Sequence, residues 1–325
     1  FKNHTNEIVV PDLSIPWGLA FLPDGSLLIT EKSGELIHFK NGVKTTIEGI
    51  PEVYVRGQGG LMDLKLHPNH NENGWIYFSF ASAEGEGDGG NTAIMRAKLK
   101  DNTLIDKQLL YKANPNTKKG QHFGSRIEFD NNGYLYFSIG ERGERDMNPQ
   151  DITRDCGKIY RLYDDGRIPD DNPFVNTPKA KKAIYSYGHR NPQGMTKNPE
   201  TGDIWVHEHG PQGGDEINII QKGKNYGWPV ISYGINYDST SFTDLTEKEG
   251  MEQPFFYWVP SIAPSGMTFV TSDKYPDWKG NLLVGSLKFN YLERLIITDN
   301  EVIKREKLME GIGRVRNVHQ GTDGY

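Results

Sequence analysis

The stretch PWGLAFLPDGSLLITEKSGELIHF, residues 16–39, contains three short runs of alternating apolar residues separated by Pro-Asp-Gly and Ser-Gly. Alternation with a period of two is typical of strands that bury one face. Short turns containing Gly between such runs are typical of antiparallel hairpins. The stretch therefore predicts a meander of short antiparallel strands.

Similar phrases recur along the chain at intervals of roughly 40 to 70 residues, which is the sequence pattern of a propeller whose blades each contain a few strands. The further copies are GLMDLKLHPNHNENGWIYFSFA from Gly60, GSRIEFDNNGYLYFSIGERG from Gly124, NPQGMTKNPETGDIWVHEHG from Asn191, PSGMTFVTSDKYPDWKGNLLVGSLK from Pro264 and VRNVHQGTDGY from Val315. Six copies predict an all-β fold, a six-bladed β-propeller with four-stranded antiparallel blades, formed as a single domain by residues 1–325. No stretch has convincing helical periodicity with caps, so we expect little helix.

The sixth copy stops at Tyr325, where the other copies continue into an apolar strand. We therefore expect the last blade to be incomplete at the C-terminus or completed from elsewhere, with residues 7–10 (EIVV) as candidates to close the ring. Long irregular segments in a compact fold are more often functional than idle. The segments expected to wall a site on the propeller axis are 82–91, 142–153, 164–182 and 233–253.

Charge and composition narrow the classes of partner. The chain has 37 basic and 43 acidic residues, a net charge of -6, and no long run of one sign, which argues against nucleic acid as a partner. No stretch approaches the ~18 consecutive apolar residues that a membrane span needs. We expect a soluble protein, periplasmic or secreted with its signal peptide absent from this chain, with a small-molecule or protein partner. The single cysteine, Cys156, excludes an intrachain disulfide and is expected to be buried.

His122 and Glu141 are the first candidates for chemistry. His122 opens the third phrase, near the central channel of a propeller, where a neutral imidazole could accept a proton from a substrate hydroxyl. Glu141 follows one strand later, in IGERG, and would face the same end to orient that imidazole. The pattern alone is weak for His122, and Glu141 fits a solvated turn equally well.

Four cations lie near corresponding ends of different phrases: Arg190 in GHRNPQ, Lys288 in GSLKFN, and Arg314 and Arg316 in GRVRNV. Arg314 and Arg316 are two apart on a predicted strand, so both side chains would point to one face and share an anionic target. A ligand with several carboxylates or phosphates would suit this cradle. A purely structural pair of arginines explains the pattern equally well.

The loop in HGPQGGDE is a candidate metal site because flexible backbone can turn carbonyl oxygens inward, and Ca²⁺ prefers oxygen ligands. One use would be the carbonyls of Gly210 and Pro211, and another the carboxylate of Glu216 with the main chain around Tyr226. The alternative is a wide hairpin whose acidic residues keep it solvated. Taken without the other candidate residues, the sequence of this loop favours the solvated hairpin over the metal site.

The ordered motifs GQGGLMDLKLHP, QHFGSRI, IGERG, GHRNPQGM, HEHGPQGGDEINII, KNYGWP, VPSIAPSG, GSLK and GRVRNV resemble the soluble pyrroloquinoline quinone (PQQ) dependent sugar dehydrogenases. Within that family they are similar to the aldose sugar dehydrogenase branch. The resemblance runs from about Pro16 to the C-terminus, and it implies a six-bladed propeller. It also implies oxidation of the C1 hydroxyl of aldoses to lactones, by hydride transfer to PQQ, and passage of electrons to an external acceptor such as a quinone, cytochrome or dye.

The resemblance gives each candidate a role. It implies that His122 is the general base and that Glu141, Gln58 and Arg190 line the same pocket. The implied contacts to PQQ are Gln58, His122, Arg190, Asn191, His209, Ser261, Lys288, Arg314 and Arg316. The implied Ca²⁺ ligands are the main-chain oxygens of Gly210 and Pro211 at PQQ, and Glu216 with Tyr226 at a second, structural site.

The chain departs from the glucose dehydrogenase branch at several points of the pocket. His209 stands where that branch has Gln, Gln121 where it has Asp, and the aromatic residue that stacks on PQQ aligns with Val259, one position after Trp258. These departures leave the sugar preference and the stacking residue open. Two other functions compete with sugar oxidation, a Ca²⁺-dependent propeller lactonase or other hydrolase and a non-catalytic binding module. We expect a monomer or homodimer.

Overall fold

A computed structural model describes residues 5–325 and contains five four-stranded antiparallel sheets in this part of the chain. The first two sheets contain β1 (Pro16–Phe21), β2 (Leu27–Glu31), β3 (Leu36–Lys40), β4 (Val43–Ile47), β5 (Leu61–Leu66), β6 (Trp75–Ser82), β7 (Asn91–Lys100) and β8 (Thr103–Lys112). The third and fourth contain β9 (Ile127–Phe129), β10 (Leu135–Ile139), β11 (Lys158–Leu162), β12 (Ile184–Tyr187), β13 (Pro192–Lys197), β14 (Ile204–Glu208), β15 (Asp215–Ile219) and β16 (Phe256–Trp258). The fifth contains β17 (Pro264–Phe269), β18 (Leu282–Ser286), β19 (Tyr291–Thr298) and β20 (Glu301–Leu308).

Each of the first five repeated phrases contains the first two strands of a sheet, and the next strands along the chain complete that sheet. The second strands β2, β10 and β14 are buried on both faces, whereas the fourth strands β4 and β20 are mostly exposed. A sheet that packs between two neighbouring sheets buries both faces of its inner strands, which explains why alternation weakens there. The predicted meander and the all-β class are confirmed.

Consecutive sheets pack face to face through apolar clusters, as blades around an axis do. The clusters between neighbouring sheets are represented by Leu28 with Phe78, Tyr77 with Phe137, Ile159 with Val206, and Trp205 with Phe269. The inner strands β1, β5, β9, β13 and β17 contact one another around the centre. The molecule is therefore a β-propeller of four-stranded blades.

The sixth position of the ring is occupied differently from the other five. Residues 315–320 form no strand, although Val315 N–H donates to Ser286 O at 3.3 Å beside the fifth sheet. The prediction that Arg314 and Arg316 share a strand is therefore wrong. Residues 7–10 also form no strand, with Ile8 81% exposed, so the prediction that they close the ring is wrong. A cavity of about 1250 Å³ lies between the first sheet and residues 314–325.

Three of the four irregular segments meet at the end of the blades that carries Glu141, because Arg142 donates to Gly90 O at 3.0 Å and Arg145 donates to Asn236 Oδ1 at 2.9 Å. Segment 164–182 does not, because it follows Leu162, which pairs with Leu135 at the other end of β10. The prediction that this segment walls the site is therefore wrong.

Helix is scarce, as predicted, with only α1 (His70–Asn73) and a 3₁₀ turn (Pro276–Trp278) in the described part of the chain. No helix within residues 5–325 has the length and apolar character needed to cross a membrane. Cys156 is buried, 2% exposed, as its small apolar character predicts.

Candidate active site

The candidate residues gather where inner strands begin and second strands end. The pairings Leu61 with Phe80, Pro192 with Glu208, and Pro264 with Ser286 bring these strand ends to one end of the blades. The residues just before an inner strand or just after a second strand there are Gln58, His122, Glu141, Asn191, His209, Ser261 and Lys288. Loop residues from different blades therefore line one end of the channel.

His122 and Glu141 are in direct contact, and Glu141 is buried, so of the two interpretations that the sequence left open for Glu141 the solvated turn is the wrong one. The Nδ1 atom of His122 hydrogen-bonds to Oε1 of Glu141, and Gly143 N–H donates to the same oxygen at 3.0 Å. An ionised carboxylate only accepts hydrogen bonds, so Nδ1 carries the proton and the lone pair of Nε2 is left free. The main chain of His122 is also fixed, because its N–H donates to Gln58 Oε1 at 2.8 Å.

The surroundings keep the His122 imidazole neutral. Desolvation lowers its pKa below the ordinary histidine value; the cationic Arg190 and Arg142 lower it further, whereas Glu141 raises it. The backbone of His122 has φ 56°, a left-handed conformation that is uncommon outside glycine and often marks functional sites. A neutral imidazole with a free Nε2 is the form that accepts a proton.

Arg190 and Asn191 connect this pair to the next blade. Arg190 O accepts from Glu141 N–H at 2.8 Å, and the Arg190 guanidinium donates to His209 O at 3.1 Å and Gly210 O at 2.8 Å. Asn191 Oδ1 accepts from Gly124 N–H at 3.1 Å, just after His122 in the chain. The structure thus brings together the predicted residues of the third and fourth blades.

The loop after β14 is held by a carboxylate that the sequence analysis did not select. Asp215 accepts from Gly210 N–H at 2.8 Å, Ile262 N–H at 2.7 Å and Ala263 N–H at 2.9 Å, which joins two neighbouring blades. Desolvation raises the pKa of Asp215 to about 6 despite these bonds. Its position directly after Gly-Gly, where a carboxylate can anchor a tight loop, was the available sequence signal.

The predicted metal carbonyls already have hydrogen-bond donors. Gly210 O accepts from Arg190, and Pro211 O lies 3.4 Å from the hydroxyl of Ser261, which donates to it. His209 donates from Nε2 to Pro264 O at 2.7 Å, and burial together with the charges of Arg190 and Arg316 lowers the pKa of His209 to about 3. His209 is therefore a neutral side chain beside the predicted metal carbonyls.

The four predicted cations have no carboxylate partners within residues 5–325. Arg316 donates to Gln193 Oε1 at 2.9 Å, and its pKa is lowered to about 9 by desolvation and by the nearby Arg126 and Arg314. Arg314 donates to Leu287 O at 3.1 Å, and Lys288 is exposed beside it. Cations held together without counterions need an anion from elsewhere, and several carboxylates suit them.

Glu216 and Tyr226 lie in a second cluster of interacting side chains, distinct from the pair formed by His122 and Glu141. The side chain of Asn218 donates to Glu208 Oε1 at 3.0 Å and lies 3.4 Å from Glu216 Oε2, while the ring of His189 stacks on that of Tyr226 at 4.8 Å. Desolvation and the neighbouring Glu208 carboxylate raise the pKa of Glu216 well above its ordinary value. Asn218 Oδ1 is buried and has no hydrogen-bond partner in the part of the chain that the structure describes. This unpartnered oxygen and the paired carboxylates suit a hard cation.

The structure also bears on the stacking residue that the sequence left open. Trp258 is fully buried, and its indole N–H donates to Glu293 Oε2 at 3.0 Å, so it faces the blade interior. Val259 is 61% exposed. Trp258 is therefore unable to stack on a ligand in the channel without leaving its blade.

Comparisons with known proteins agree with this arrangement. A family model described as Glucose / Sorbosone dehydrogenase matches residues 13–325. Aldose sugar dehydrogenase YliI of Escherichia coli (strain K12) is 42% identical over 98% of this chain and 88% of the relative. The apo crystal structure of the soluble aldose sugar dehydrogenase from Escherichia coli matches with a TM-score of 0.93 and 40% identity, covering 98% and 94% of the two chains.

A solved structure with bound cofactor is also similar. The PQQ-bound aldose sugar dehydrogenase from Streptomyces coelicolor matches with a TM-score of 0.79 and 28% identity, covering 96% of this chain and 86% of that one. The similarity extends over the propeller and over every candidate motif from residue 13 onward. The chain therefore belongs to the glucose/sorbosone dehydrogenase family.

Proposed function

We propose that this chain is a PQQ-dependent quinoprotein that oxidises the C1 hydroxyl of aldose sugars to lactones. The observation that carries the proposal is the contact between His122 and Glu141 at the channel end that also holds cations without carboxylate partners. Family membership and the similarity to aldose sugar dehydrogenases support the same reaction.

His122 is the general base of this reaction. Its free Nε2 accepts the proton of the C1 hydroxyl, while Glu141 holds Nδ1–H and stabilises the imidazolium that forms. The chemistry that PQQ supplies when bound is acceptance of the hydride from C1. Gln58 keeps the main chain of His122 in place, so the base approaches from a fixed direction.

The chemistry of the donor set suits PQQ, which is a tricarboxylate. Arg190, Arg314, Arg316 and Lys288 would hold its carboxylates through charge-assisted hydrogen bonds. The polar side chains that complete the cradle are Gln58, Asn191, His209 and Ser261.

Calcium would take main-chain oxygens from Gly210 and Pro211 near the cofactor. Ca²⁺ needs six to eight oxygens, so two carbonyls form only part of a site, and the rest would come from the cofactor and water. Arg190 donates to Gly210 O in this structure, so that guanidinium would have to turn toward an anion when the cation binds. Glu216, with the main chain around Tyr226, would hold the second Ca²⁺, where the unpartnered oxygen of Asn218 adds support.

The remaining partners follow from the reaction. The substrate is a sugar, and an external acceptor such as a quinone, cytochrome or dye removes the electrons. We propose a periplasmic or secreted protein, a monomer or homodimer, whose 325 residues act as one propeller domain. A hydrolase is not favoured, because the channel end offers main-chain oxygens and cations where a Ca²⁺-dependent hydrolase would use several side-chain carboxylates around the metal.

A cofactor titration followed by an aldose screen tests the proposal. Purified protein with Ca²⁺ is titrated with PQQ and followed by absorbance, and aldoses are then tested with an artificial electron acceptor. We expect saturable binding and dye reduction that needs PQQ. Binding without turnover on any aldose would contradict the enzymatic assignment, and no absorbance change at all would favour a non-catalytic module.

Arg316→Met tests the cradle, because it removes one cation at similar length. Loss of a hydrogen bond to a charged group costs roughly 1.5–3 kcal/mol, so PQQ affinity should fall about 10- to 100-fold. Lys304→Met on the outer strand β20 removes the same charge away from the channel and is the matched control. Equal affinities in the two variants would exclude Arg316 from the cradle.

A further inference from the structure

We propose that Arg142 is a positioning residue that holds the segment carrying His122 in its catalytic geometry. The inference deepens the proposed function and rests on it for the role of His122. Arg142 follows Glu141 directly in IGERG, but the two side chains have different partners. Glu141 contacts the imidazole of His122, whereas Arg142 contacts main-chain oxygens of neighbouring residues.

The guanidinium of Arg142 makes three hydrogen bonds, all to main-chain oxygens. One goes to Gln121 O, one to Lys119 O at 2.9 Å and one to Gly90 O at 3.0 Å. It also lies 3.5 Å from the centroid of the Phe123 ring, a cation–π contact. Three of these partners, residues 119, 121 and 123, surround His122 in the chain.

The segment around His122 needs hydrogen bonds from side chains because it lies outside the sheets. Residues 118–124 form no strand, and main-chain pairing with β10 begins at Ser125, whose N–H donates to Ser138 O at 2.8 Å. Gln58 accepts from His122 N–H and donates from its own N–H to Gly120 O at 2.7 Å, while Thr92 and Asn191 hold the main chain of Phe123 and Gly124. Arg142 holds the main-chain oxygens of residues 119 and 121, which lie just before His122.

The backbone of His122 explains why the segment needs anchors. Its φ of 56° is a strained conformation for a residue other than glycine, and such conformations persist only where the surroundings over-determine them. Arg142 itself has φ 59° and is 1% exposed, so its guanidinium has no freedom to turn to solvent. Loss of the three hydrogen bonds would let the segment relax and move the imidazole away from Glu141.

Among residues 5–325, the hydrogen bonds and ring contact of the Arg142 guanidinium go to this segment and to Gly90. None goes to Arg190, Lys288, Arg314 or Arg316. A positioning role therefore predicts a loss in the chemical step with unchanged binding of the cofactor. A merely structural role predicts that stability, cofactor binding and rate fall together.

The test compares Arg142→Met and Arg142→Lys with Arg96→Met. Arg96 is also a buried arginine, but it binds Asp164 at the other end of the blades and stacks on Trp75 at 4.1 Å. Arg142→Met should lower kcat roughly 10²-fold, because a displacement of about 1 Å has effects of that size. KM for the sugar and the Kd of PQQ should stay within about twofold. Arg142→Lys should recover part of the rate, since an ammonium can still donate to one or two of the carbonyls.

Nuclear magnetic resonance of the protein without cofactor gives a readout that does not depend on turnover. In ¹⁵N-histidine-labelled wild type, His122 should show a protonated Nδ1 and an unprotonated Nε2, and Arg142→Met should lose this preference while Arg96→Met keeps it. An unchanged His122 spectrum and kcat in Arg142→Met would overturn the proposal. So would parallel losses of stability, PQQ binding and rate in Arg142→Met and Arg96→Met. If wild type itself showed no PQQ-dependent turnover, the proposed function would fail, while the spectra would still test the geometry.

Discussion

At the scale of single residues, the state of His122 decides when the site can work. Its pKa is lowered, chiefly by desolvation, and a base must be neutral to accept a proton. The groups that act on it are Glu141, which raises its pKa, and Arg190 and Arg142, which lower it. The rate should therefore be full above the lowered pKa and fall as the pH drops through it, giving an acid limb below pH ~6.5.

Glu141→Gln tests this account of the charge balance. Removing the carboxylate lowers the pKa of His122 further, so the acid limb of kcat/KM should move to lower pH. The plateau should fall roughly 10- to 100-fold, because an amide holds the imidazolium and its tautomer less well. A pH–rate profile measures both effects, and an acid limb that moves to higher pH would contradict the assignment.

At the scale of elements, the loops at the channel end depend on one buried carboxylate. Asp215 accepts three main-chain N–H groups from the loop after β14 and the segment before β17. Asp215→Ala would leave these donors without a partner, at roughly 1–3 kcal/mol each. We expect the free energy of unfolding to fall by about 3–5 kcal/mol. PQQ affinity should also fall, since Gly210, Pro211 and Ser261 lose their common anchor.

Urea unfolding and a PQQ titration measure these two losses. Asp273→Ala is the matched control, because its carboxylate is 90% exposed and pairs with Lys279 at the surface, so the free energy of unfolding should stay close to that of the wild type. Asp215→Asn should lie between wild type and Asp215→Ala. Equal stability of Asp215→Ala and Asp273→Ala would show that the loops have other anchors.

Local patterns predicted the elements well, because alternation and turn residues act over a few positions. The six phrases located the first two strands of five blades, and the motif resemblance brought His122, Glu141 and Arg190 to one place. Contacts between blades could not be predicted from these local sequence patterns. Asp215 and Arg142 bind main-chain groups that are distant in sequence, and main-chain groups carry no residue signature. The strand predicted at residues 314–316 failed because pairing depends on a neighbouring strand, which alternation does not reveal.

At the scale of the whole molecule, the guanidinium of Arg126 connects the blades around the axis. It donates to Gln193 O at 2.7 Å and Arg316 O at 2.9 Å, lies 3.3 Å from Asp63 and stacks on Trp17 at 4.2 Å. It also lies 3.5 Å from the hydroxyl of Ser265. One side chain before β9 therefore contacts the first, second, fourth and fifth sheets and the segment of the sixth position.

Arg126→Met should destabilise the ring strongly. Removing one partner of a buried ion pair typically costs about 3–5 kcal/mol, because the other charge, here that of Asp63, is left uncompensated. The double variant Arg126→Met with Asp63→Leu removes both charges and should recover only part of the loss, since the hydrogen bonds to Gln193 O and Arg316 O stay broken. Chemical unfolding of the two variants measures the difference. Full recovery of the free energy of unfolding in the double variant would mean that the loss comes from the broken ion pair and not from the lost hydrogen bonds between blades.

In the proposed reaction, His122 is the base of PQQ-dependent aldose oxidation. The most direct measurement is turnover of an aldose by His122→Ala and wild type at saturating PQQ and Ca²⁺, with the Kd of PQQ determined in parallel. We predict a loss of ~10²- to 10⁴-fold in kcat with PQQ still bound. Retained turnover in His122→Ala would contradict the account.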